Sequence, residues 1–395
     1  MNLLDLIGRS STLFDADLEK YSDEINEIIS TSRFLVIGGA GTIGQEVVKQ
    51  LFVRKPKTLH VVDISENNLV ELVRDLRSGY GYISGDLKTF ALDFGGEEFS
   101  ALLRNSEPYN YIFNLAALKH VRSEKDPYTL MRMIDVNIFN TINTIEASRS
   151  LALKNFFCVS TDKAANPVSM MGASKRIMEK FLMRESFSQS ITMARFANVA
   201  FSDGSLLHGF NQRMLKKQPI SAPNDILRYF LVPQESGELC MLSGLLGKNR
   251  EIFFPKLSEN LHLITFSDIA RRYLISRGYE VYECDSENEA RSKVNELIKK
   301  KKWPCYFFKT DTSGEKDFEE FHTNNEDICL EKYQNIGVIC NSSSFNDTDL
   351  NNFIERINII KQKQVWLKTE FVEAFKRVIP EFTHKETGKN LDEKM

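Results

Sequence analysis

The stretch from Arg33 to Asp63 leaves this chain little choice of architecture. It reads RFLVIGGAGTIGQEVVKQLFVRKPKTLHVVD: an apolar run, glycines at 38, 41 and 44, an amphipathic helical pattern, and a second apolar run that closes on an aspartate 19 residues after Gly44. Glycines at G-x-x-G-x-x-G spacing let the backbone turn tightly and approach a pyrophosphate, whose charge is met by the amides at a helix N-terminus. Strand, glycine loop, helix and strand in that order give the motif its weight. Gly38, Gly41, Thr42, Ile43 and Gly44 are the expected cradle. A carboxylate at Asp63 can accept hydrogen bonds from both ribose hydroxyls of an adenosine and would repel a 2′-phosphate. The ISENN that follows brings no Arg or Lys, so NAD is expected over NADP, with Asp93 at the end of TFALD placed for the adenine edge. A glycine turn with Asp63 as a helix cap is the plainer alternative.

Five further short runs extend the pattern: TLHVVD, TFALD, YIFNLA, FFCVST and ITMARF, after the initial FLVIGG. Such β-branched runs alternating with amphipathic helices predict buried parallel strands in an α/β, doubly wound (Rossmann) sheet. Residues 1–32 read as a helical preface with Leu13, Leu18, Ile25, Ile28 and Ile29 on a thin apolar face, and residues 33–201 as the dinucleotide-binding domain. Residues 202–395 read as a smaller C-terminal substrate-binding lobe and extension, interleaved with the first. Two lobes suit the 395-residue length, since single cores stop growing near ~250–300 residues. The KKKKW run at Lys299–Trp303 reads as solvated surface.

Composition narrows the partners. With 42% hydrophobic and 27% charged residues and a net charge of -3, the chain is not expected to bind nucleic acid. Six scattered cysteines form neither a CxxC pair nor a His/Cys cluster, so no metal site is expected and a reducing, cytoplasmic setting is. The N-terminus lacks the features of a secretory signal, and no apolar run approaches the ~20 residues that cross a bilayer, so no membrane partner is expected.

The motifs GGAGTIG, NLAALKHV, DVNIFNT, STDKA, MGASK and RFANV, in this order, resemble the extended short-chain dehydrogenase/reductase family. More narrowly the chain is similar to its bacterial polysaccharide-biosynthesis branch, which holds nucleotide-sugar 4,6-dehydratases acting on UDP-N-acetylglucosamine. The resemblance spans roughly residues 30–270, and the closing HKETGKNLDEKM is similar to some members. It implies that Lys175 binds the nicotinamide ribose, that Ser160 and Thr161 end a strand beside the nicotinamide, and that Ala116 touches the cofactor. It also implies that Asp162 acts as the acid at the C6 hydroxyl and Lys163 as the base at C5, for which the lysine pKa must fall. Lys119, His120, Asn198 and Arg228 would hold the nucleotide sugar, His120 being equally open to a structural role, while Arg195 reads as an internal anchor. The family's usual tyrosine is replaced by Met171, a departure known in this branch, so the C4 hydroxyl proton must leave by another route, with Thr161 the nearest relay. The helix face of Ile177, Met178, Phe181 and Leu182 would pair with its twin in a homo-oligomer, at least a dimer.

The expected activity is conversion of a UDP-N-acetylhexosamine to its 4-keto-6-deoxy product through C4 oxidation, loss of water across C5 and C6, and hydride return to C6. A nucleotide-sugar 4-epimerase is the alternative enzyme, though it needs no acid and base beyond C4 and normally needs the tyrosine. A catalytically inactive NAD-binding regulatory protein is the alternative of another class.

Overall fold

Seven parallel strands run through the centre of the computed structural model, which describes residues 2–257, 261–311, 319–340 and 345–384. The closing HKETGKNLDEKM lies outside the described residues beyond its first histidine. The strands are β1 (Arg33–Ile37), β2 (Thr58–Asp63), β3 (Asp86–Ala91), β4 (Tyr111–Asn114), β5 (Asn155–Val159), β6 (Ile191–Ala194) and the later Glu251–Pro255. Across the sheet they follow the order β3-β2-β1-β4-β5-β6 and then Glu251–Pro255, after which Ile336–Cys340 and Ile328–Cys329 add an antiparallel edge. Ile37 pairs with Val62 on one side and Asn114 on the other, so the strand order reverses between β1 and β4. In an open α/β sheet a crevice forms beyond the carboxyl ends of the strands at that reversal. The glycine loop sits there.

The doubly wound α/β expectation holds, and β1, β2, β4, β5 and β6 are buried. β3 corrects the expectation: it is the edge strand, flanked only by β2, and its residues are half-buried to exposed. Helix Thr42–Phe52 turns Val47, Val48, Leu51 and Phe52 inward and packs against helix Pro233–Leu246. The chain beyond residue 202 thus serves both lobes. Its own lobe centres on parallel strands Ile220–Pro223, Lys302–Phe308 and Glu280–Glu283, with helix Glu287–Lys299 as the crossover between the last two. Lys299–Lys301 are exposed as expected, but Trp303 is fully buried and donates its indole N–H to the Gln218 carbonyl at 3.0 Å.

Both termini tie the parts together. Leu6 and Ile7 belong to the core of the smaller lobe, whereas Leu13, Phe14, Ile25 and Ile29 belong to the core under the sheet. Between them, buried Arg9 donates to Glu235 Oε2 at 2.8 Å, and Glu235 also accepts from the Leu13 N–H at 3.0 Å. Helices Asp347–Lys361 and Lys368–Val378 fold back onto helix Met170–Glu185. The Phe181 and Phe353 rings lie 6.3 Å apart, and Arg184 donates to Asn351 at 3.1 Å. Ile177, Met178, Phe181 and Leu182 are all buried within this single chain. The face expected to meet a second copy is therefore covered in part by the protein's own C-terminal helices. Among the described residues no helix is long and apolar enough to cross a membrane.

Candidate active site

The glycine loop explains its own composition. Gly38 has φ +73°, in the left-handed region, and a Cβ there would lie 2.6 Å from the Ala116 nitrogen. A Cβ on Gly44 would lie 2.1 Å from the Gly38 carbonyl oxygen, so the first helical turn can pass this close only without a side chain. Gly41, the residue before the helix, is different: its Cβ would meet nothing closer than 3.6 Å. Its bare backbone faces two adjoining cavities of about 350 and 370 Å³, which share Gly38, Gly41, Leu115 and Ala117 as walls.

The second cavity is the half that carries acidic residues. Asp63, Ile64, Asp93, Phe94, Ala116 and Arg132 line it. Asp63 accepts from the Ala40 N–H at 3.0 Å and the Ser65 N–H at 2.9 Å, bracing the loop while each oxygen keeps a further lone pair. Asp93 accepts from Gly95 N–H at 2.9 Å and from Arg132 at 2.6 Å. Burial raises its pKa, but the Gly95 amide and the Arg132 guanidinium prevail and hold it below the ordinary value. Thr42 Oγ1 donates to Asp203 at 3.0 Å, tying the helix start to the opposite lobe, and Ile43 lines the first cavity. The cradle, the carboxylate and the two-chambered shape fit a dinucleotide.

The first cavity gathers Thr161, Lys163, Met171, Lys175, Lys119 and His120. β5 ends at Val159, Ser160 and Thr161 follow it, and a short turn, Asp162–Ala164, begins at once. Thr161 Oγ1 donates to Asp162 Oδ1 at 2.8 Å, and the Lys163 ammonium donates to the same oxygen at 3.1 Å and to Asn198 Oδ1 at 3.2 Å. Asp162 is buried, and Glu319 Oε1 lies 3.7 Å from Lys163 Nζ. Burial pulls the Lys163 pKa down, yet Asp162 and Glu319 overcome it, and Arg228 opposes them only in part: the pKa is raised. The requirement that it fall is corrected, because two carboxylates face this nitrogen and the sequence displays only one of them nearby.

Helix Met170–Glu185 presents Met171 and Lys175 one turn apart. Ser169 caps it by accepting from the Gly172 N–H at 3.1 Å. Asn137, in a π-helical turn formed by DVNIF, holds the neighbourhood: it exchanges bonds with Leu118 at 2.9 and 3.1 Å and donates to Ser174 Oγ at 3.0 Å. Lys175 is buried and donates to the Val159 carbonyl at 3.1 Å; burial lowers its pKa, with Cys158 and Glu179 opposing. The Ser160 hydroxyl turns away to Glu179 at 2.6 Å although the residue lines the cavity. Burial also lowers Lys119, against Asp203, and lowers His120, assisted by Lys119 and Arg122. His120 packs against Gly204, where a Cβ would lie 2.9 Å from its Nε2. Asn198 lines the cavity; Arg228 does not, its buried guanidinium donating to the Leu227 carbonyl at 2.9 Å.

Arg195 is the internal anchor that RFANV suggested. Fully buried, it donates to both Glu179 oxygens at 2.8 and 2.6 Å, to both Glu326 oxygens at 2.8 Å, and to the Phe321 carbonyl at 3.0 Å. Glu179, Glu319 and Glu326 were missed by sequence reasoning. The last two sit 131 residues or nearly so from the arginine in a polar stretch that resembles surface, and no local pattern marks them.

A sequence profile described as "polysaccharide biosynthesis protein" matches residues 34–340. An uncharacterized membrane protein of Methanocaldococcus jannaschii is 31% identical over 63% of this chain and 75% of its own length. EpsC of Bacillus subtilis, a probable polysaccharide biosynthesis protein, is 28% identical over 72% of this chain, which spans only 46% of that relative. More distant similarity reaches both a UDP-glucose 4-epimerase of Rickettsia rickettsii, at 26% identity, and an inverting UDP-N-acetylglucosamine 4,6-dehydratase of Campylobacter jejuni, at 28%. Among solved structures, Pen from Bacillus thuringiensis matches 84% of this chain and 99% of its own with TM-score 0.64 and 22% identity, a likeness of fold.

Proposed function

Because this chain belongs to the polysaccharide biosynthesis protein family, we propose that it is a nucleotide-sugar 4,6-dehydratase acting on a UDP-N-acetylhexosamine, UDP-N-acetylglucosamine foremost, with NAD as a recycled cofactor. The observation that carries this reading is the hydrogen-bonded chain Thr161–Asp162–Lys163 at the cavity that Met171, which cannot ionise, also lines. An epimerase returns hydride to C4 and has no use for an acid and a base beyond it. The dehydratase relative at 28% identity and the two-chambered cleft agree with the reading.

Bound NAD supplies the hydride acceptor at C4 and the hydride donor at C6. Gly38, Gly41 and the start of helix Thr42–Phe52 hold its pyrophosphate, and Asp63 its adenosine ribose. Lys175 holds the nicotinamide ribose, with Lys119, His120 and Asn198 on the nucleotide-sugar side. Thr161 donates to Asp162 and accepts from the Lys163 backbone N–H at 3.4 Å, so its oxygen keeps one lone pair for the C4 hydroxyl proton as hydride leaves, passing a proton on to the carboxylate. Lys163, as an ammonium, gives a proton to the departing C6 oxygen, and the amine so formed takes the C5 proton. As hydride arrives at C6, the same nitrogen returns a proton to C5. Asp162 then reprotonates it across their 3.1 Å bond, and each group ends as it began.

The test is mass spectrometry of UDP-N-acetylglucosamine after incubation with the protein and NAD. The expected product has lost one water with no net NADH; an isomer of unchanged mass as the sole product would establish the epimerase instead.

A further inference from the structure

The segment from Glu319 to Glu326 is pinned to the sheet at two points. Glu326 takes Arg195 at 2.8 Å through both oxygens and Arg176 at 2.8 Å, all of these side chains being buried, and closes its own turn by accepting from the Thr323 N–H at 2.9 Å. Phe321 lies between the Tyr229 ring at 5.8 Å and the Phe254 ring at 6.0 Å, and its carbonyl accepts from Arg195. Glu319, only two residues earlier, therefore has little freedom. It is 6% exposed, and its Oε1 stands 3.7 Å from Lys163 Nζ. A carboxylate buried to this degree is tolerated when a cation shares the site.

We propose that Glu319 is a positioning residue for the reaction: delivered by this anchored segment, it holds Lys163 as an ammonium at the cavity wall, so that the lysine gives a proton before it takes one. Among the described residues, the groups facing Lys163 include Asp162 from its own turn, the neutral Asn198, Glu319, and Arg228, whose charge opposes the two carboxylates. The raised lysine pKa agrees with this arrangement. The chemical use of the ammonium rests on the dehydratase reading; the coupling of Glu319 to Lys163 does not.

The two are separated by measuring the lysine directly. The NAD-loaded protein is labelled with limiting acetic anhydride across pH 7–11, and acetylation of the Lys163 peptide is read by mass spectrometry in wild type, Glu319→Gln and Glu319→Asp. The Lys163 side chain is 20% exposed and within reach of a small reagent. Removing the charge in Glu319→Gln is expected to raise Lys163 labelling about tenfold at pH 8–9, equivalent to one unit of pKa, and Glu319→Asp should restore it most of the way. Equal labelling in all three proteins overturns the proposal. So does an aspartate variant that labels like the glutamine variant, since a shorter but charged side chain would then behave as a merely unseated segment. If labelling shifts as expected but the sugar product is an epimer, the proposed reaction fails and the coupling stands.

Discussion

Alanine at Gly44 and alanine at Gly41 should fail in opposite ways, although the motif counts the two glycines alike. At Gly44 the new methyl would sit 2.1 Å from the Gly38 carbonyl oxygen and 2.6 Å from Gly39 Cα, against ordinary contact at 3.4–4 Å. Both obstacles are backbone, so helix Thr42–Phe52 must retreat by over ~1 Å, and it is packed against helix Pro233–Leu246. Overpacking a tight site costs up to about 3 kcal/mol. Replacing a helical glycine by alanine returns about 1 kcal/mol. The net loss is about 2 kcal/mol of unfolding free energy, read by urea denaturation. Gly41 has φ -76° and ψ 166°, which any residue adopts, and its methyl would meet no protein atom closer than 3.6 Å. Gly41→Ala should unfold within about 0.5 kcal/mol of wild type, as unstrained surface changes do, yet lose over tenfold in NAD affinity by calorimetry, because the methyl stands where the pyrophosphate must pass. Wild-type NAD affinity in Gly41→Ala, or an unchanged urea midpoint in Gly44→Ala, would refute the reasoning.

Other consequences are open to measurement. Arg195→Met leaves Glu179 and Glu326 buried without their main cation and should cost about 3–5 kcal/mol; a loss below ~1 kcal/mol in urea unfolding would mean the network relaxes freely. Burial pushes the Glu326 carboxyl up, but Arg195 and Arg176 win and hold it at about 2 against an ordinary 4.5. Its stabilisation is thus complete above pH 4.5 and lost as pH falls toward 2, so Glu326→Gln should unfold with a shallower pH dependence in that window; identical profiles would exclude the role. Met171→Tyr, once shown to bind NAD, should still yield mainly the dehydrated sugar, and a switch to the C4 epimer would show that Asp162 and Lys163 do not decide the reaction. Phe353→Ala should cost about 3–5 kcal/mol if the C-terminal helices are integral to the fold, and a wild-type melting curve would show that they dock only loosely.

What could be read in advance was whatever is local and repeated. Six strands, the glycine loop and Asp63 each lie within a short window whose pattern of apolar, bare and acidic residues has one good structural solution. Strand Glu251–Pro255 went unread because EIFFP is a single short run amid polar sequence, and the crossover over residues 280–308 because its helix, ENEARSKVNELIK, is mostly polar. In the site, Thr161, Lys163, Met171 and Lys175 come together as their adjacent motifs suggest. Arg195 was legible as an anchor, since an arginine inside a strand end must find partners; which partners could not be told, because Glu179 and Glu326 are 16 and 131 residues away. Arg228 was placed at the substrate by its motif; it is buried, and its charge acts on Lys163 at the cavity wall. The self-covering of helix Met170–Glu185 depends on where the last helices fold back, which their amphipathic pattern does not encode.

The N-terminal segment carries a kinetic implication. With Ile7 in one core, Leu13 in the other and Arg9 buried between them, a hinge motion that swung the smaller lobe away from the sheet would have to extract an apolar anchor or strip a buried ion pair. The latter alone is worth on the order of 3–5 kcal/mol, roughly a thousandfold in the population of an opened form. Opening of the first cavity, walled in part by Ser202, Ser205 and Leu206, by a breathing of whole lobes is disfavoured to that extent.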